Sequence, residues 1–378
     1  MKIIFFANTD WYLYNFRLEL AQALRTRGDE VVLVSPKGEY VPLLQELGFR
    51  WICFPMDRRG LNPIAEISTI FRLLSLYHRE NPDLVHQFTV KCVLYGSLVA
   101  HLLGIHAIVN SVEGLGYVFT KGEGNRRWLR NLVLFIYRLV LKNTWVVFQN
   151  PDDWSFFINS QLAGAKRTAI IMGTGVDIRK FTPRFNQQEI PSIILPARLL
   201  WDKGVGEFVE AARQLHSKGV GAQFILVGDC DEGNPGSIDP AQLHEWANEG
   251  VIEWWGWKDK MEDIYTQASI VCLPSYYREG LPKTLIEAAA CGCPIVTTDL
   301  PGCREVVRHG ENGLLVRERD ASALAQELAL LINNPTLRMK MGVNGRNMAE
   351  QKFSTGIIIP QILELYKTVC EENESHEP

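Results

Sequence analysis

The sequence predicts an α/β protein made of two Rossmann-like, doubly wound parallel-sheet domains that face a cleft. Short apolar runs rich in β-branched residues alternate with longer helical patterns along the whole chain. The alternation is interrupted once, at the polar, proline-containing stretch Thr182–Ser192. Continuous apolar strands separated by helices indicate parallel sheets that are covered on both faces. A length of 378 residues suits two such domains better than one core.

Residues 1–186 are predicted to form the first domain. Its predicted strands are Lys2–Ala7, Glu30–Ser35, Arg50–Phe54, Asp83–His86, Ala107–Ser111, Thr144–Gln149 and Thr168–Met172. Its predicted helices are Asn15–Gly28, Pro63–Glu80, Lys91–Gly104 and Arg126–Lys142. The strand runs and the helical patterns differ in length and in the spacing of their apolar residues, which is what separates the two classes.

The alternation restarts in residues 187–354, which are predicted to form the second domain. The predicted strands are Ile193–Ala197, Gln223–Val227, Val251–Trp254, Ser269–Leu273, Pro294–Thr298 and Gly313–Val316. The predicted helices are Val205–Lys218, Pro240–Glu249, Lys283–Cys291, Ala321–Asn333 and Pro335–Glu350. The last helical segment, Thr355–Glu372, either packs on its own domain or crosses back to the first. Ligands of such sheets bind beyond the carboxyl ends of the strands, so we expect the active site in the shared cleft.

Composition and charge exclude several classes of protein. A formal charge of -4 and a pI near 6.1 argue against general nucleic-acid binding, which needs a basic face. The eight cysteines show no disulfide framework, so reduced thiols in a cytosolic protein are expected. Polar Asn8-Thr9-Asp10 follows Met1–Ala7 directly, which does not fit a signal peptide. No apolar run reaches the roughly 18 residues that a membrane span needs.

The segment Glu279–Glu287 carries the first part of a candidate donor site. It follows the strand Ser269–Leu273 and opens a helix, with Pro282 suited to the first helical turn. Gly280 permits close approach of a ligand, and the helix N-terminus favours a diphosphate. Glu279 lies on the loop, and Glu287 lies five residues past Pro282, about 7.5 Å along the helix axis. Two carboxylates separated in this way can hold hydroxyls at opposite ends of one extended ligand. The alternative for the two glutamates alone is an ordinary helix cap with acidic first turns.

Two further loops end at the same edge of the predicted sheet. Arg198 and Lys203 follow the strand Ile193–Ala197, where two cations would neutralise a diphosphate and the charge that grows on it as it leaves. Trp257 and Lys258 follow Val251–Trp254, where a loop can hold a base. Taken singly, these residues also fit surface cations and a tryptophan that anchors a turn. The convergence of three loops predicts a site for base, phosphates and sugar.

These residues resemble the signature of the retaining glycosyltransferases of family 4, which have the GT-B fold. Seven residues, including Gly280-Leu281-Pro282, separate Glu279 from Glu287, and Arg198 and Lys203 match the family's diphosphate positions. The resemblance is closer to enzymes that extend sugars on polyprenyl-diphosphate carriers, including bacterial N-acetylgalactosaminyltransferases and capsule and O-antigen relatives. The stretches that carry it are Val112–Tyr117, Ala197–Gly204 and Ala288–Gly292.

The resemblance implies a UDP-sugar donor and no bound metal or other cofactor. Glu279 would contact the sugar hydroxyls and Glu287 the ribose hydroxyls. The residues that it implies for catalysis are Glu279, Lys203, Arg198 and Glu113, and those for donor binding are Glu287, Gly280, Leu281, Pro282, Lys283, Trp257 and Lys258. A donor phosphate oxygen would take the acceptor proton on the same face of the sugar, with Glu113 orienting the acceptor hydroxyl.

The first domain is expected to bind the acceptor, on weaker signals. Trp11 lies in a glycine-free aromatic loop after the first strand, and Arg17, one turn into the following helix, can touch a phosphate or be solvated. His86 and Lys91 stand near the carboxyl end of a predicted strand, where Lys91 can meet phosphates. For His86 a structural hydrogen-bonding role is favoured over catalysis.

The segment Arg126–Lys142 is predicted to be a basic amphipathic helix. Residues 121–142 contain six cationic residues and one acidic residue, and apolar residues including Trp128 recur at helical spacing. This pattern is typical of an interfacial membrane helix, and also of a core-facing helix with a solvated cationic edge. With the lipid-carrier resemblance it favours peripheral binding to the cytoplasmic face of the inner membrane, with Arg58-Arg59 adding to the basic patch.

Other chemistries are disfavoured by the motifs. Asp229-Cys230-Asp231 has a manganese-binding form but lies in a turn-rich stretch, and Walker and GxGxxG patterns are absent. The resemblance therefore implies a retaining transferase that moves a HexNAc or hexose from a UDP-sugar to a polyprenyl-diphosphate-linked saccharide. The alternatives are a UDP-sugar 2-epimerase of the same fold, a transferase for a soluble or glycerolipid acceptor, and a non-catalytic sugar-nucleotide binder.

Overall fold

The computed structural model describes residues 1–58, 60, 62–114, 127–183, 189–231 and 233–374, with the side chains of 127–130, 373 and 374 left undescribed. The chain divides into two compact units. One comprises Met1–Thr174 with Ile358–Pro378, and the other comprises Gly175–Ile357. From the sequence, the boundary was placed at residue 187.

The described part of the first unit contains a parallel sheet of seven strands. The strands are β1 Lys2–Phe6, β2 Glu30–Ser35, β3 Arg50–Cys53, β4 Leu84–Phe88, β5 Ile108–Val112, β6 Trp145–Phe148 and β7 Thr168–Ile170. Their order is β3-β2-β1-β4-β5-β6-β7, and every ladder is parallel. The chain order therefore reverses between β1 and β4, which is the position at which such sheets bind ligands.

Helices cover both faces of this sheet. They are α1 Asp10–Tyr12, α2 Leu18–Thr26, α3 Val41–Glu46, α4 Pro63–Glu80, α5 Val90–Leu102, α6 Arg127–Val140 and α7 Pro151–Asn159. A π-helical turn, Leu13–Arg17, joins α1 to α2. The sequence did not predict the short helices α1, α3 and α7, of which α3 begins at Val41 and α7 at Pro151. Asn150 caps α7 by accepting a hydrogen bond from the Asp153 amide, a recognisable start signal.

The second unit has a sheet of six parallel strands in the described residues. They are β8 Ser192–Pro196, β9 Gln223–Val227, β10 Glu253–Trp254, β11 Ile270–Leu273, β12 Ile295–Thr298 and β13 Gly313–Val316. The order β10-β9-β8-β11-β12-β13 reverses between β8 and β11. The loops that follow these two strands are thus the expected ligand loops of this unit.

Its helices alternate with the strands, as in the first unit. They are α8 Val205–Ser217, α9 Pro240–Asn248, α10 Met261–Tyr265, α11 Lys283–Ala290, α12 Cys303–Val306, α13 Ala321–Ile332 and α14 Pro335–Met348. The last helix, α15 Thr355–Glu374, begins in this unit and packs on the first unit from Ile358 onward. Its side chains Ile362 and Tyr366 are buried there.

The buried strands explain why the sheets form. Ile3, Ile4, Phe5 and Phe6 of β1 are all fully buried. Because successive side chains point to opposite faces, Ile3 and Phe5 pack in the core that includes α15, whereas Ile4 and Phe6 pack in the core under α4 and α5. A strand without polar alternation can be stable only with apolar cover on both faces. Within the described residues, none of the helices combines the length and apolar character needed to cross a bilayer.

Candidate active site

The loop after β8 brings Lys203 to the reversal point of the second sheet. A 3-10 turn, Trp201–Lys203, ends at Gly204, whose φ of +76° lies in the left-handed region. A Cβ atom on Gly204 would overlap the backbone oxygen of Pro274, which follows β11. Glycine is therefore required both by backbone conformation and by space, and it lets the β8 and β11 loops pack tightly together.

Lys203 and Glu279 form an ion pair across the β8–β11 boundary. The distance from Lys203 Nζ to Glu279 Oε1 is 2.6 Å, and Lys203 is 9% exposed. The buried hydroxyl of Ser275 donates to the same Glu279 oxygen at 3.2 Å. The carboxylate is thus held by a cation from one loop and a hydroxyl from the other, in a partly buried position.

Backbone hydrogen bonds fix the same two loops. The carbonyl oxygen of Asp202 accepts from the amides of Tyr276 at 2.9 Å and Tyr277 at 3.1 Å. Burial raises the pKa of the Asp202 carboxyl above its ordinary value, although Lys203 and Arg198 oppose the shift. Both predicted cations therefore lie near Asp202 and act on it electrostatically.

Arg198 is exposed and pairs with Asp231 rather than with Glu279. Its Nη1 donates to Asp231 Oδ2 at 2.7 Å, and Asn234 Nδ2 donates to that same oxygen at 3.0 Å. The second aspartate of the Asp229-Cys230-Asp231 sequence thus serves the turn and the arginine. Arg198 remains accessible to a diphosphate because 45% of its side chain is exposed.

Glu287 lies on α11, at the other end of the predicted carboxylate pair. It is buried, accepts a hydrogen bond from the Tyr265 hydroxyl at 3.1 Å, and has Lys283 Nζ 3.6 Å from its Oε1. Burial raises the pKa of Glu287, while Lys283, Tyr265 and Lys180 act in the opposite direction. The carboxylate is consequently costly to keep charged, which is typical of a ligand-binding group rather than of a simple cap.

The start of α11 corrects one detail of the sequence prediction. Lys283 is the first helical residue, so Pro282 precedes the helix instead of lying in its first turn. Gly280 packs against Gly302, where an added Cβ would overlap the Gly280 carbonyl oxygen. Gly302 has a φ of +83°, and the turn signal Pro301-Gly302 after a strand is the feature of the sequence that could have identified it.

Trp257 and Lys258 lie on the loop after β10 and are both exposed. The indole Nε1 of Trp257 donates to Asp259 Oδ1 at 2.8 Å. The carbonyl oxygen of Gly256 accepts from the amide of Gly228, at the end of β9, at 2.9 Å. The loop is therefore anchored at the carboxyl edge of the sheet, and a base-binding role for Trp257 stays a prediction.

One arginine near this edge was not predicted. The guanidinium of Arg319 lies 4.4 Å from the ring centroid of Tyr276, and Arg319 has a φ of +60°. It also acts on Glu207 of α8, whose pKa burial raises above its ordinary value while Arg319 partly opposes the shift. Arg319 stands in a charged loop after β13, and its neighbours gave no motif that would have distinguished it.

In the first unit, Arg17 and Glu113 form a buried network with Tyr12. Arg17 is 3% exposed, lies 4.2 Å from the ring centroid of Phe88, and donates to the Tyr12 hydroxyl at 2.7 and 3.0 Å. Both Arg17 and Tyr12 donate to Glu113 Oε1. The alternative of a solvated Arg17 is therefore wrong, because its guanidinium is enclosed by aromatic rings and a carboxylate.

His86 and Lys91 are engaged in structural contacts. His86 is 1% exposed, with Nδ1 2.5 Å from the Tyr366 hydroxyl and Nε2 2.8 Å from Ser111 Oγ. Burial, with Arg17, holds the pKa of His86 well below its usual value. The structure therefore places His86 as a neutral core residue, which corrects its choice as an acceptor-binding candidate.

Lys91 ties a loop to α4 through its ammonium group. It donates to the carbonyl oxygens of Asp57 at 2.8 Å and Gly60 at 2.6 Å, and to Glu66 Oε1 at 2.6 Å. Three acceptors use the three donors of an ammonium group, so Lys91 is not poised for a phosphate. Trp11 is half-buried and packs edge-on against Phe16, with ring centroids 5.3 Å apart.

Comparison with known proteins identifies both halves of the chain. A family model described as "Glycosyl transferases group 1" matches residues 190–334, and one described as "Glycosyl transferase 4-like" matches residues 2–150. The chain is 31% identical to the N,N'-diacetylbacillosaminyl-diphospho-undecaprenol alpha-1,3-N-acetylgalactosaminyltransferase of Campylobacter jejuni, over 98% of this chain and 99% of that protein. It is 23% identical to the UDP-Gal:alpha-D-GlcNAc-diphosphoundecaprenol alpha-1,3-galactosyltransferase of Escherichia coli, over 82% and 81% of the two chains.

The architecture also matches solved structures. Sucrose-phosphate synthase from Thermosynechococcus elongatus superposes with a TM-score of 0.81 at 20% identity, covering 98% of this chain and 99% of that one. At this identity the likeness concerns the fold alone. The predicted fold class, two parallel-sheet α/β domains of the GT-B type, is confirmed.

Proposed function

Because the chain belongs to the family-4-like glycosyltransferases, we propose that it moves a HexNAc or hexose from a UDP-sugar to a polyprenyl-diphosphate-linked saccharide. The Lys203–Glu279 pair at the β8–β11 reversal point is the observation that carries the proposal. It puts a cation and a carboxylate where a sugar diphosphate needs them: a charge for the phosphates and an acceptor for sugar hydroxyls. The two relatives are named for saccharides linked to diphospho-undecaprenol, which supports this acceptor class.

The donor is proposed to lie along the β8 and β11 loops with its diphosphate at the start of α11. Lys203, the exposed Arg198 and the amide groups of the helix N-terminus together favour a diphosphate there. Glu279 then accepts hydroxyls of the transferred sugar, and Glu287 accepts those of the ribose. Glu287 is buried next to Tyr265, so hydroxyl donors would relieve the cost of its charge.

We propose a retaining, same-face transfer. The bond between sugar C1 and the diphosphate oxygen breaks, and the acceptor oxygen bonds to C1 on the same face. The acceptor proton passes to a donor phosphate oxygen, and UDP leaves with that proton. Lys203 and Arg198 stabilise the negative charge that accumulates on the leaving diphosphate, which is where fixed cations lower a barrier most.

No metal is assigned a part in this proposal. The charge that a divalent cation supplies in other transferases is available from Lys203 and Arg198. Asp231, the acidic residue best placed by its motif for manganese, already accepts from Arg198 and Asn234. A manganese ion bound to Asp231 would have to displace Arg198, whose Nη1 lies 2.7 Å from Asp231 Oδ2.

A donor panel tests the proposed function. Purified protein is incubated with UDP-GalNAc, UDP-GlcNAc, UDP-galactose or UDP-glucose, with and without a polyprenyl-diphosphate-linked saccharide, each with and without EDTA. We expect UDP release that depends on the lipid-linked acceptor and that EDTA does not lower. Conversion of one UDP-sugar to its epimer without acceptor identifies an epimerase instead, whereas no turnover with any donor contradicts a transferase. If EDTA abolishes the activity and Mn²⁺ restores it, the proposed metal independence is contradicted, whereas the proposed transferase function is not.

Peripheral binding to the cytoplasmic leaflet through α6 is the second part of the proposal. The predicted Arg126–Lys142 helix begins at Arg127 in the described residues, and Arg126 lies outside them, as do Arg59 and Leu115–Tyr117. On α6, Leu132, Phe135 and Leu139 are 44%, 57% and 58% exposed, whereas Val133, Tyr137 and Val140 are buried against the core. The helix thus presents a second apolar stripe outward, which an ordinary core-facing helix does not have.

The neighbouring helices α4 and α5 also carry exposed apolar side chains. α4 and α6 pack on either side of α5. Ile64, Ile67 and Phe71 of α4 are 80%, 55% and 67% exposed, and Leu102 of α5 is 63% exposed. Large exposed apolar patches mark interaction surfaces, and the proposed lipid-linked acceptor makes the bilayer the matching partner.

Vesicle flotation tests the membrane proposal. The triple variant Leu132→Ser/Phe135→Ser/Leu139→Ser is expected to lose most of the protein fraction that floats with anionic vesicles, because each serine removes about 1.5–3 kcal/mol of apolar burial. Leu330→Ser on α13, an exposed leucine of the other unit at 46%, is the control and should float like the wild type. Unchanged flotation of the triple variant would contradict the proposal.

A further inference from the structure

The carboxyl edge of the first sheet holds a buried polar network that bridges three strands. Arg17 and Tyr12 come from the segment after β1, Glu113 directly follows β5, and Gln149 directly follows β6. Arg17 passes over the ring of Phe88 at the end of β4. The network therefore spans the β1–β4 reversal point, the position of this sheet at which a ligand is expected.

All donors of this network converge on one oxygen of Glu113. Arg17 Nη2, the Tyr12 hydroxyl and Gln149 Nε2, the last at 3.2 Å, donate to Oε1. In the described part of the chain no residue donates to Oε2, and 17% of the Glu113 side chain is exposed. A carboxylate with a purely structural role would gain more by sharing its donors between both oxygens. One oxygen is held and the other is left to accept.

The donors themselves are fixed. Arg17 donates to the Tyr12 oxygen, which directs the Tyr12 hydroxyl proton toward Glu113. Burial raises the pKa of Tyr12 well above its usual value, so the phenol remains a donor at any physiological pH. Burial also acts to lower the pKa of Arg17, but Tyr12 and Glu113 outweigh it and the net direction is upward. The network therefore keeps one protonation pattern.

Stability alone does not account for these residues. Replacing a buried ion pair by apolar side chains of similar volume is often neutral or stabilising, so such a pair is weak support for a structural role. Arg17 ends the π-helical turn Leu13–Arg17, and single π turns inside helices are frequent at functional sites. The uncommon π-helical turn therefore positions the buried guanidinium group of Arg17 next to Glu113.

We propose that Tyr12, Arg17 and Gln149 are positioning residues that fix Glu113 Oε1, so that Oε2 receives the hydroxyl of the acceptor sugar. This inference rests on the proposed transfer to a saccharide hydroxyl. Glu113 then touches the acceptor, whereas Tyr12 and Arg17 act only through it. The acceptor class at this edge is a polyol with a free equatorial or axial hydroxyl that donates a hydrogen bond.

A double-mutant cycle in the full-length protein separates positioning from packing. Tyr12→Phe, Glu113→Gln and the double variant are assayed for acceptor-dependent transfer, for UDP release without acceptor and for UDP affinity by calorimetry. We expect kcat for transfer to fall roughly 10-fold in Tyr12→Phe and roughly 100-fold in Glu113→Gln, with the double variant equal to Glu113→Gln because the residues act as one unit. UDP affinity should stay within about twofold of wild type, because neither Tyr12 nor Glu113 belongs to the proposed donor site.

Arg50→Met is the matched control. It removes an arginine from the buried Glu80 carboxylate, at 2.7 and 2.9 Å, at the amino edge of the same sheet. Arg50→Met should lower the thermal stability of the protein and leave kcat for transfer unchanged.

Variants of Arg17 add a second test. Arg17→Lys should retain more transfer activity than Arg17→Met, because lysine keeps the positive charge. If Arg17→Met does not fold, Tyr12→Phe still decides the question, because it removes only one hydroxyl group.

Two results would overturn the positioning role: wild-type kcat in Tyr12→Phe, or losses in the double variant that simply add. Failure of the proposed function can be distinguished from failure of the positioning role. If the proposed function is wrong, the wild-type protein itself will transfer sugar from no UDP-sugar, and the positioning role is then contradicted as well.

Discussion

Lys203→Ala is expected to lower kcat for sugar transfer by about 10²–10³-fold, the loss typical of removing one preorganised charge from a transition state. Lys203 is 9% exposed and its Nζ lies 2.6 Å from Glu279 Oε1, so the variant loses a charge from a fixed, largely buried position. Glu279→Ala is expected to abolish transfer as well, because it removes the proposed sugar contact and leaves Lys203 without its carboxylate partner. Steady-state kinetics with the preferred UDP-sugar and a saturating acceptor measure both effects.

The fold should survive both changes, since Asp202 and Gly204 fix the loop through backbone contacts that neither variant alters. Circular dichroism and thermal melting check this. Arg213→Ala is the matched control: Arg213 lies on α8 and pairs with Glu249 at 2.8 Å on the exposed surface. It should retain wild-type kcat. Turnover at the wild-type level in either Lys203→Ala or Glu279→Ala would contradict the proposed catalytic role of this pair.

The order of strands and helices was predictable because it depends on local patterns. The predicted bounds of β2, β9, β13 and α4 coincide with those of the structure. The apolar runs of these strands end at a polar or glycine residue, and α4 has Asn62 and Pro63 at its start. Each boundary therefore depends on only a few neighbouring residues. The parallel arrangement then follows from helices between strands.

The donor residues were predictable for a related reason. Lys203 lies in the loop that follows β8 and Glu279 in the loop that follows β11, and adjacent parallel strands bring their carboxyl ends together. Strand succession alone therefore places both loops at one edge. The role of each residue remains a prediction, as does the part of Trp257.

The acceptor side was harder because its partners are distant in sequence. Arg17 reaches Glu113, 96 residues away, and His86 reaches Tyr366, 280 residues away. Nothing near Arg17 distinguishes a buried arginine from a solvated one, since the residue that neutralises it belongs to another strand. Lys91 is similar: its three acceptors lie 25 to 34 residues earlier in the chain. Long-range polar pairing has no periodicity that a local pattern can reveal.

Glu287→Gln is expected to weaken UDP binding roughly tenfold or more, since hydrogen bonds to a charged acceptor contribute about 1.5–3 kcal/mol. The proposed partners are the two ribose hydroxyls, which a carboxylate accepts with both oxygens and an amide with one. Calorimetric titration with UDP measures the change. Glu318→Gln, at an exposed carboxylate of the same unit, is the control and should bind UDP normally. Unchanged UDP affinity in Glu287→Gln would contradict the ribose contact.

The same substitution is expected to stabilise the ligand-free protein at neutral pH. Burial raises the pKa of Glu287 in the folded state, so its contribution to stability is present below the unfolded pKa of about 4.3 and is lost as pH rises through the folded pKa. Glutamine carries no charge and escapes that loss. The variant should therefore melt at a higher temperature than the wild type at pH 7–8, and the difference in melting temperature should vanish as the pH approaches 4. A variant less stable than wild type at pH 7 would show that Tyr265 and Lys283 outweigh the cost of burial. Weaker UDP binding together with greater stability would identify Glu287 as a charge retained for the donor at the expense of the fold.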